Sequence, residues 1–247
     1  MSETPPAPLA KTLAHPLATA RQLVQVVAPD WASRHGRLQR FARPDNAGRW
    51  QVVASPVPVS LGRAGLAWGI GRHGAGLSDA PVKREGDGCS PAGAFAITAL
   101  FGKAALRPDT AHLPFVSVSP DLKAIDDPAS RHYNRIVDQR EIADIDWHSH
   151  EEMLRDDSRY DLGAVVGHNS DLVVAGAGSC IFLHVWESEG APTAGCTAMA
   201  LANLRDLANW LDAETNPVLV QLPMHEYVTR QADWQLPPCG DSEPPAG

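Results

Sequence analysis

Glycine and proline interrupt this chain so often that long helices have little room to form. The 247 residues include 20 Gly and 21 Pro, and the apolar runs between them are short. Both residue types are unfavourable inside helices and mark turns and loops. Hydrophobic residues nevertheless make up 44% of the chain, which is enough for a packed core. The sequence therefore predicts a mainly β fold, a β-sandwich-like arrangement of mixed sheets with a few helices.

Short apolar segments mark the predicted strands. A turn signal at 44–48 (PDNAG) separates two of them and predicts a hairpin. The segment 179–186 (SCIFLHVW) is apolar on both faces, which is typical of a buried central strand. In chain order, strands are predicted at 22–27, 37–41, 49–53, 57–62, 93–102, 163–168, 179–186 and 217–223.

Helices are predicted over 198–212 and near 149–159. The first has an apolar face with helical spacing, formed by Leu201, Leu204, Leu207, Ala208 and Leu211. The second lies within the polar stretch 103–162, which is long enough to form a rim or lid beside a site.

One globular region is expected, because no linker or internal repeat divides the middle of the chain. Residues 1–20 are predicted to be a flexible N-terminal arm, and residues 21–224 to form one domain. Residues 225–247 are predicted to be a C-terminal extension that ends in a Pro-rich tail.

Composition and charge exclude several classes of partner. The net charge is −8 and no cluster of five or more Lys or Arg occurs, so we do not expect a nucleic-acid partner. No run approaches eighteen apolar residues, so no membrane span is expected. The start, MSETPPAPLAKTLAHPLATARQ, is acidic and then Pro-rich, and His15, Pro16 and Arg21 interrupt its apolar residues. It lacks the basic start and continuous apolar stretch of a secretory signal, which favours the cytoplasm. The four cysteines include no CxxC pair, and no metal-binding pattern is present.

The segment 179–199 (SCIFLHVWESEGAPTAGCTAM) carries the candidate chemistry. Alternation along a strand places His184 on the same face as Phe182, and a histidine inside a buried strand needs a polar partner. A loop then leads to Gly195 and Cys196. A thiol is a nucleophile only as a thiolate, and a nearby imidazole can take its proton. We therefore predict that Cys196 is a nucleophile and His184 its base.

Two further features of this segment favour the same chemistry. The first turn of the helix predicted over 198–212 would favour negative charge on the sulfur. Gly195 would let the backbone bend, so that main-chain N–H groups converge near the sulfur and stabilise an oxyanion.

These residues resemble the active-site motif of the L,D-transpeptidases (YkuD-like), in which a strand His is followed by a Ser/Thr-x-Gly-Cys turn. His184 matches the His, Thr193 the Ser/Thr, and Gly195 with Cys196 the Gly-Cys pair. The block 83–97 (KREGDGCSPAGAFAI) resembles the upstream Pro-x-Gly-x-Phe strand entry of the same family. The resemblance extends over roughly 22–223, and it is greatest to a bacterial branch that carries YNRIVD, GSCIFLH and PTAGCTAM.

The resemblance implies a catalytic domain that performs acyl transfer on peptidoglycan stem peptides without a metal or organic cofactor. Cys196 would attack the L-centre carbonyl of a diaminopimelyl–D-alanine bond and release D-alanine. The amine of a second stem would then resolve the thioester. The family's reactivity also implies acylation of Cys196 by carbapenems. Its location implies a cell-wall or periplasmic site, which differs from the location that the first residues favour.

The resemblance further implies roles for the backbone around the two reactive side chains. The carbonyl of Val185 would orient His184, and the oxyanion would be held by N–H groups of Cys196 and around Ala194 and Gly195. One position departs from the family pattern, because Ala198 stands where the family usually has Arg. The candidate substrate contacts are His168, Tyr133, Asn134, Arg135, Thr193, Ala194 and Thr197.

Two alternatives remain open at this point. With the same site, water in place of an amine would make the chain an L,D-carboxypeptidase or a related muropeptide peptidase or amidase. The departure at Ala198 also allows a non-catalytic module that binds cell-wall peptide.

Overall fold

The structure, a computed structural model, describes residues 15–74, 80–108 and 112–239. It contains fourteen strands and two α-helices, α1 (Leu201–Trp210) and α2 (Met224–Arg230). The strands are β1 (Gln22–Ala28), β2 (His35–Ala42), β3 (Gln51–Val52), β4 (Val57–Ser60), β5 (Leu66–Trp68), β6 (Ser90–Gly102), β7 (Phe115–Ser117), β8 (Leu122–Ala124), β9 (Ile136–Asp138), β10 (Glu151–Glu152), β11 (Leu162–Val166), β12 (Phe182–Val185), β13 (Thr197–Met199) and β14 (Val218–Pro223).

The main sheet closes on itself. Its strands follow the order β1-β14-β6-β11-β12-β13-β4-β2, and β2 also pairs antiparallel with β1. Most neighbours are antiparallel, whereas β1 with β14 and β12 with β13 run parallel. The predicted mainly β fold of mixed sheets with few helices is confirmed, and the β1–β2 pairing gives the sheet the form of a barrel.

The core lies between this curved sheet and the segments packed on it. Every residue of β14 is buried, because the strand lies between β1 and β6. Helix α1 lies against β11 and β12 and buries Leu204, Leu207 and Ala208. Leu211, which caps the helix, is buried as well, so four of the five residues of the predicted apolar face are in the core. Strand β12, which carries His184, is therefore paired with a neighbouring strand on each edge and packs against α1.

Both ends of the described chain pack against the barrel. Leu17 and Ala20 are fully buried, and the guanidinium of Arg43 donates to the carbonyl of Ala20 at 2.7 Å. Trp234 and Leu236 are buried at the other end. Residues 15–20 of the predicted arm thus contact the core, while 1–14 and 240–247 lie outside the described residues. The domain limits at 21 and 224 stay predictions.

The helix predicted near 149–159 is wrong. This stretch contains β10, which pairs with β8 in a small sheet that also includes β9, and then turns. The carboxylate of Asp157 accepts the backbone N–H of Arg159 at 3.0 Å, an i to i+2 contact that stabilises a turn instead of a helix.

The helix predicted over 198–212 starts later than expected. Helix α1 begins at Leu201, and residues 197–199 form β13, which pairs with β12 and β4. The buried hydroxyl of Thr197 donates to Gln221 at 2.7 Å, which further holds this segment as a strand. Cys196 therefore precedes a strand, and the first turn of α1 does not follow it directly.

No helix in the described part of the chain is both long enough and apolar enough to cross a membrane.

We predict that Leu219→Ala lowers the free energy of unfolding by about 2–5 kcal/mol, because Leu219 is fully buried in β14 and the substitution leaves a cavity. Leu172→Ala is the matched control, because Leu172 is 85% exposed and its truncation changes stability by about 0.5 kcal/mol or less. Urea denaturation of both variants measures the difference. Equal losses would contradict the assignment of β14 to the core.

Candidate active site

The two predicted reactive side chains lie on neighbouring parallel strands. In the register of β12 and β13, Leu183 is level with Thr197 and His184 with Ala198. Cys196 is thus level with Phe182, whose backbone N–H donates to the Cys196 sulfur at 3.3 Å. Since side chains alternate along a strand, Cys196 and His184 share one face as diagonal neighbours, with Cα atoms about 8 Å apart by strand geometry.

This face forms the floor of a cavity of about 180 Å³. Residues from the β12–β13 connection and from the polar insertion complete its walls. Its lining consists of Glu151, Arg155, Arg159, Tyr160, His184, Trp186, Glu187, Ala191, Pro192, Thr193, Ala194, Cys196 and Ala198.

His184 is held as a neutral imidazole. Its Nδ1 lies 2.8 Å from the carbonyl oxygen of Val185, and because a carbonyl only accepts, Nδ1 carries the proton and Nε2 has a free lone pair. The pKa of His184 is lowered to about 4, mainly by burial and also by the positive charges of Arg159 and Arg155, which together outweigh the opposite effect of the Val185 hydrogen bond. The side chain is therefore an unprotonated base at neutral pH.

Cys196 is held as a neutral thiol. Burial raises the pKa of the thiol to about 12, and the charge of Glu151 acts in the same direction. The S–H donates to the carbonyl of Cys180 at 3.6 Å. Among the described residues, no hydrogen bond joins Cys196 to His184. The resting pair is thus thiol and imidazole, so proton transfer has to accompany nucleophilic attack.

Hydroxyl groups fix the turn before the cysteine. The carbonyl of Cys196 accepts from Thr193 Oγ1 at 2.6 Å and from Ser90 Oγ at 2.7 Å. The Gly195 N–H donates to Thr193 Oγ1 at 3.1 Å. A Cβ at Gly195 would lie 3.1 Å from the carbonyl oxygen of Cys89, so a side chain there would crowd the backbone behind the turn.

The same turn limits which N–H groups could hold an oxyanion. The Gly195 N–H is already bonded to Thr193, whereas the N–H groups of Ala194 and Cys196 donate to no other described residue. Of the three predicted donors, two are therefore available.

Three of the predicted substrate contacts form hydrogen bonds that support the backbone behind the thiol. Asn134 adopts a φ of 62°, accepts the Cys180 N–H at 2.9 Å and donates to the carbonyl of His168 at 2.9 Å. His168 is buried, with Nε2 3.0 Å from the carbonyl oxygen of Ala177. The hydroxyl of buried Tyr133 accepts the N–H of Gly178 at 3.1 Å and donates to a carboxylate oxygen of Glu85. Together these contacts hold the segment around Cys180, whose carbonyl oxygen accepts the hydrogen bond from the Cys196 thiol.

The predicted site residues consequently separate into three groups. Cys196, His184, Thr193 and Ala194 line the first cavity. Asn134, Arg135 and His168 line a second cavity of about 230 Å³, to which Cys180 and Phe182 also contribute. Gly195, Val185, Tyr133 and Thr197 line neither, and Thr197 is bonded inside the core.

Sequence reasoning did not single out the insertion residues that line the first cavity. The hydroxyl of Tyr160 donates to Glu151, and its ring centroid lies 5.6 Å from that of His184. The Arg155 guanidinium lies over the Tyr160 ring at 5.3 Å and binds Asp157 through two hydrogen bonds. No motif marks these positions, although the polar character of 103–162 predicted a rim. Among the described residues, no group of three or more His, Cys, Asp or Glu is arranged to hold a metal ion.

A comparison with family models gives a match over residues 39–220 to YkuD, the L,D-transpeptidase catalytic domain. This range begins within β2 and ends within β14, and it contains the cavity and both predicted reactive side chains. Comparisons with curated proteins and with solved structures gave no match.

We predict that His184 makes stability fall as the pH is lowered. Its pKa is about 4 when folded and 6.5 when unfolded, so the unfolded chain binds a proton between these values that the folded chain excludes. This contribution is zero above pH 6.5 and reaches about 3 kcal/mol of destabilisation near pH 4. Urea denaturation should show a smaller loss of stability from pH 7 to pH 4 for His184→Asn than for wild type.

The exposed His148 provides the control, because His148→Asn should keep the pH dependence of the wild type. An unchanged dependence in His184→Asn would show that the imidazole is not buried in the neutral form.

Proposed function

The chain belongs to the L,D-transpeptidase (YkuD) catalytic-domain family, and we propose that it catalyses cysteine-dependent acyl transfer on peptidoglycan stem peptides. The observation that carries this proposal is the placement of a thiol and a neutral imidazole on one face of two adjacent parallel strands, at the floor of one cavity. An imidazole with a free Nε2 lone pair and a neutral thiol supply a base and a nucleophile.

In the proposed first step, the Cys196 sulfur attacks the carbonyl carbon at the L-centre of the diaminopimelyl–D-alanine bond. The thiol proton passes to Nε2 of His184, and the carbonyl oxygen becomes an oxyanion. When the C–N bond breaks, the leaving nitrogen takes the proton from Nε2. D-Alanine departs, and a thioester joins the shortened stem to Cys196.

In the proposed second step, the amine of another stem attacks the thioester carbonyl. His184 accepts a proton from this amine and returns it to the departing sulfur. The products are a new peptide bond and the original thiol, so the enzyme is regenerated without a cofactor.

The available backbone donors support this pathway. The free N–H groups of Ala194 and Cys196 border the cavity beside the sulfur, where the oxyanion would form. Thr193 and Ser90 hold the carbonyl of Cys196, and thus fix the peptide plane that follows the nucleophile.

The cavity also offers positive charge where the sequence departs from the family pattern. Ala198 contributes only a methyl group beside His184, while Arg155 and Arg159 reach the same cavity from the insertion. We propose that these guanidinium groups provide the positive potential for a stem carboxylate that an arginine at 198 would otherwise provide.

We predict that a carbapenem acylates the wild-type protein once, because the β-lactam carbonyl presents the nucleophile with a strained acyl donor. Intact mass should show one adduct on wild type and on Cys239→Ala, and none on Cys196→Ala. Cys239 is the matched control, since it is a free and only partly buried thiol distant in sequence from the motif. An adduct that survives in Cys196→Ala would contradict the assignment of the nucleophile.

A further inference from the structure

Glu151 is a carboxylate placed where a thiolate has to form. It lies in β10, lines the cavity together with Cys196, and its charge raises the pKa of the thiol. A negative charge beside a developing thiolate opposes the first step, because like charges in a poorly solvated site repel strongly. A carboxylate at this position therefore raises the free energy of the Cys196 thiolate, unless a positive group approaches the carboxylate during the reaction.

No ion pair among the described residues supplies this positive group to Glu151, although the charge of Arg155 acts on the carboxyl group and lowers its pKa. No Lys or Arg among the described residues lies within 4.0 Å of the Glu151 carboxylate. The neighbouring Arg155 is directed to Asp157 through Nε and Nη2, at 3.0 and 2.8 Å. Glu151 is partly buried, and burial raises the pKa of its carboxyl group. Because burial favours the neutral carboxyl form of Glu151, a cation that paired with it would stabilise the charged carboxylate.

The hydrogen bonding of Glu151 leaves one oxygen free for a ligand. Tyr160 donates its hydroxyl to Oε2, and no described residue donates to Oε1. The Tyr160 ring packs edge to face on both His184 and Phe182, at 5.6 Å from each. These contacts fix the orientation of the Glu151 carboxylate relative to His184 and to β12, the strand that carries His184.

The other charges near the two groups do not replace a ligand cation. Lys83 lowers the pKa of Cys196, but it is bound to Asp87 at 2.6 Å. Asp126 and Glu85 raise the pKa of Glu151, and Arg155 lowers it. The surroundings of Glu151 therefore leave its negative charge without a bound counterion in the cavity.

We propose that Glu151, held by Tyr160, is the specificity-determining residue that binds the free ammonium group of the donor peptide's diamino acid side chain. This inference rests on the proposed function, since it assumes a stem peptide as acyl donor. An ammonium group on Oε1 would pair with the carboxylate and remove its repulsion of the thiolate. Only a donor that carries the cation would then both fill the cavity and favour ionisation of Cys196.

A binding measurement tests this proposal independently of turnover. In the Cys196→Ala background, calorimetry would compare a stem tetrapeptide with its copy acetylated on the side-chain amine. We expect the free amine to bind about tenfold tighter or more, and this preference to disappear in Cys196→Ala/Glu151→Gln. The substitution Glu189→Gln removes an equal charge from the exposed connection outside the cavity lining, and it should keep the preference.

A second readout needs no peptide. The rate of Cys196 alkylation by iodoacetamide, followed by peptide mapping, should rise several-fold at neutral pH in Glu151→Gln, with a pH profile shifted to lower pH. In Glu189→Gln the profile should match the wild type. Equal binding of the two peptides to Cys196→Ala, or an unchanged alkylation profile in Glu151→Gln, would overturn the proposal. Loss of turnover with the binding preference intact would instead contradict the proposed function alone.

Discussion

The candidate active site depends on the parallel pairing of β12 with β13. The connection between them returns the chain to the start of β12, so that Cys196 arrives beside Phe182 while His184 lies two residues farther along the same strand. Because side chains alternate, a register shift of one residue would turn the thiol to the opposite face of the sheet. The hydroxyls of Thr193 and Ser90 on the carbonyl of Cys196, and the position of β13 between β12 and β4, hold this register.

Burial gives this pair its chemical character. The same desolvation that keeps His184 unprotonated also keeps the Cys196 thiol protonated, so a thiolate–imidazolium pair is not stored in the resting protein. Ionisation of Cys196 then depends on the ligand that enters the cavity. In the proposed reaction, a bound donor would bring the electrophile, the free N–H groups would receive the oxyanion, and the charges of the insertion, Glu151 foremost, would determine which donor favours ionisation.

The sequence was most informative where chemistry and strand pattern coincide. The alternation of 179–186 and the Thr-x-Gly-Cys turn predicted the strand, the thiol and the imidazole, and the structure places both side chains in one cavity. The start of α1 was mispredicted, because Ala198, Met199 and Ala200 suit a helix locally, whereas pairing with β12 and β4 makes 197–199 a strand.

The insertion residues that line the cavity could not be predicted from the sequence, for a physical reason. Glu151 belongs to a two-residue strand whose pairing with β8 is set by tertiary contacts, and so short a strand shows no alternation. Tyr133, Asn134 and His168 lie in or near recognisable motifs and were predicted to contact the substrate. The hydrogen bonds of these three residues brace the loop behind Cys196, while Asn134 and His168 also line the second cavity, and their contact with a substrate stays a prediction.

The most direct test of the central claim is to trap the acyl-enzyme itself. Wild-type protein would be mixed with a stem tetrapeptide, quenched in acid, and analysed by intact mass and peptide mapping, with and without an added amine acceptor. We expect a tripeptidyl thioester on Cys196, release of one D-alanine for each adduct, and conversion of the adduct to a cross-linked product when the amine is present. Release of D-alanine by Cys196→Ala, or turnover in which the acyl group is found on another residue, would contradict the central claim.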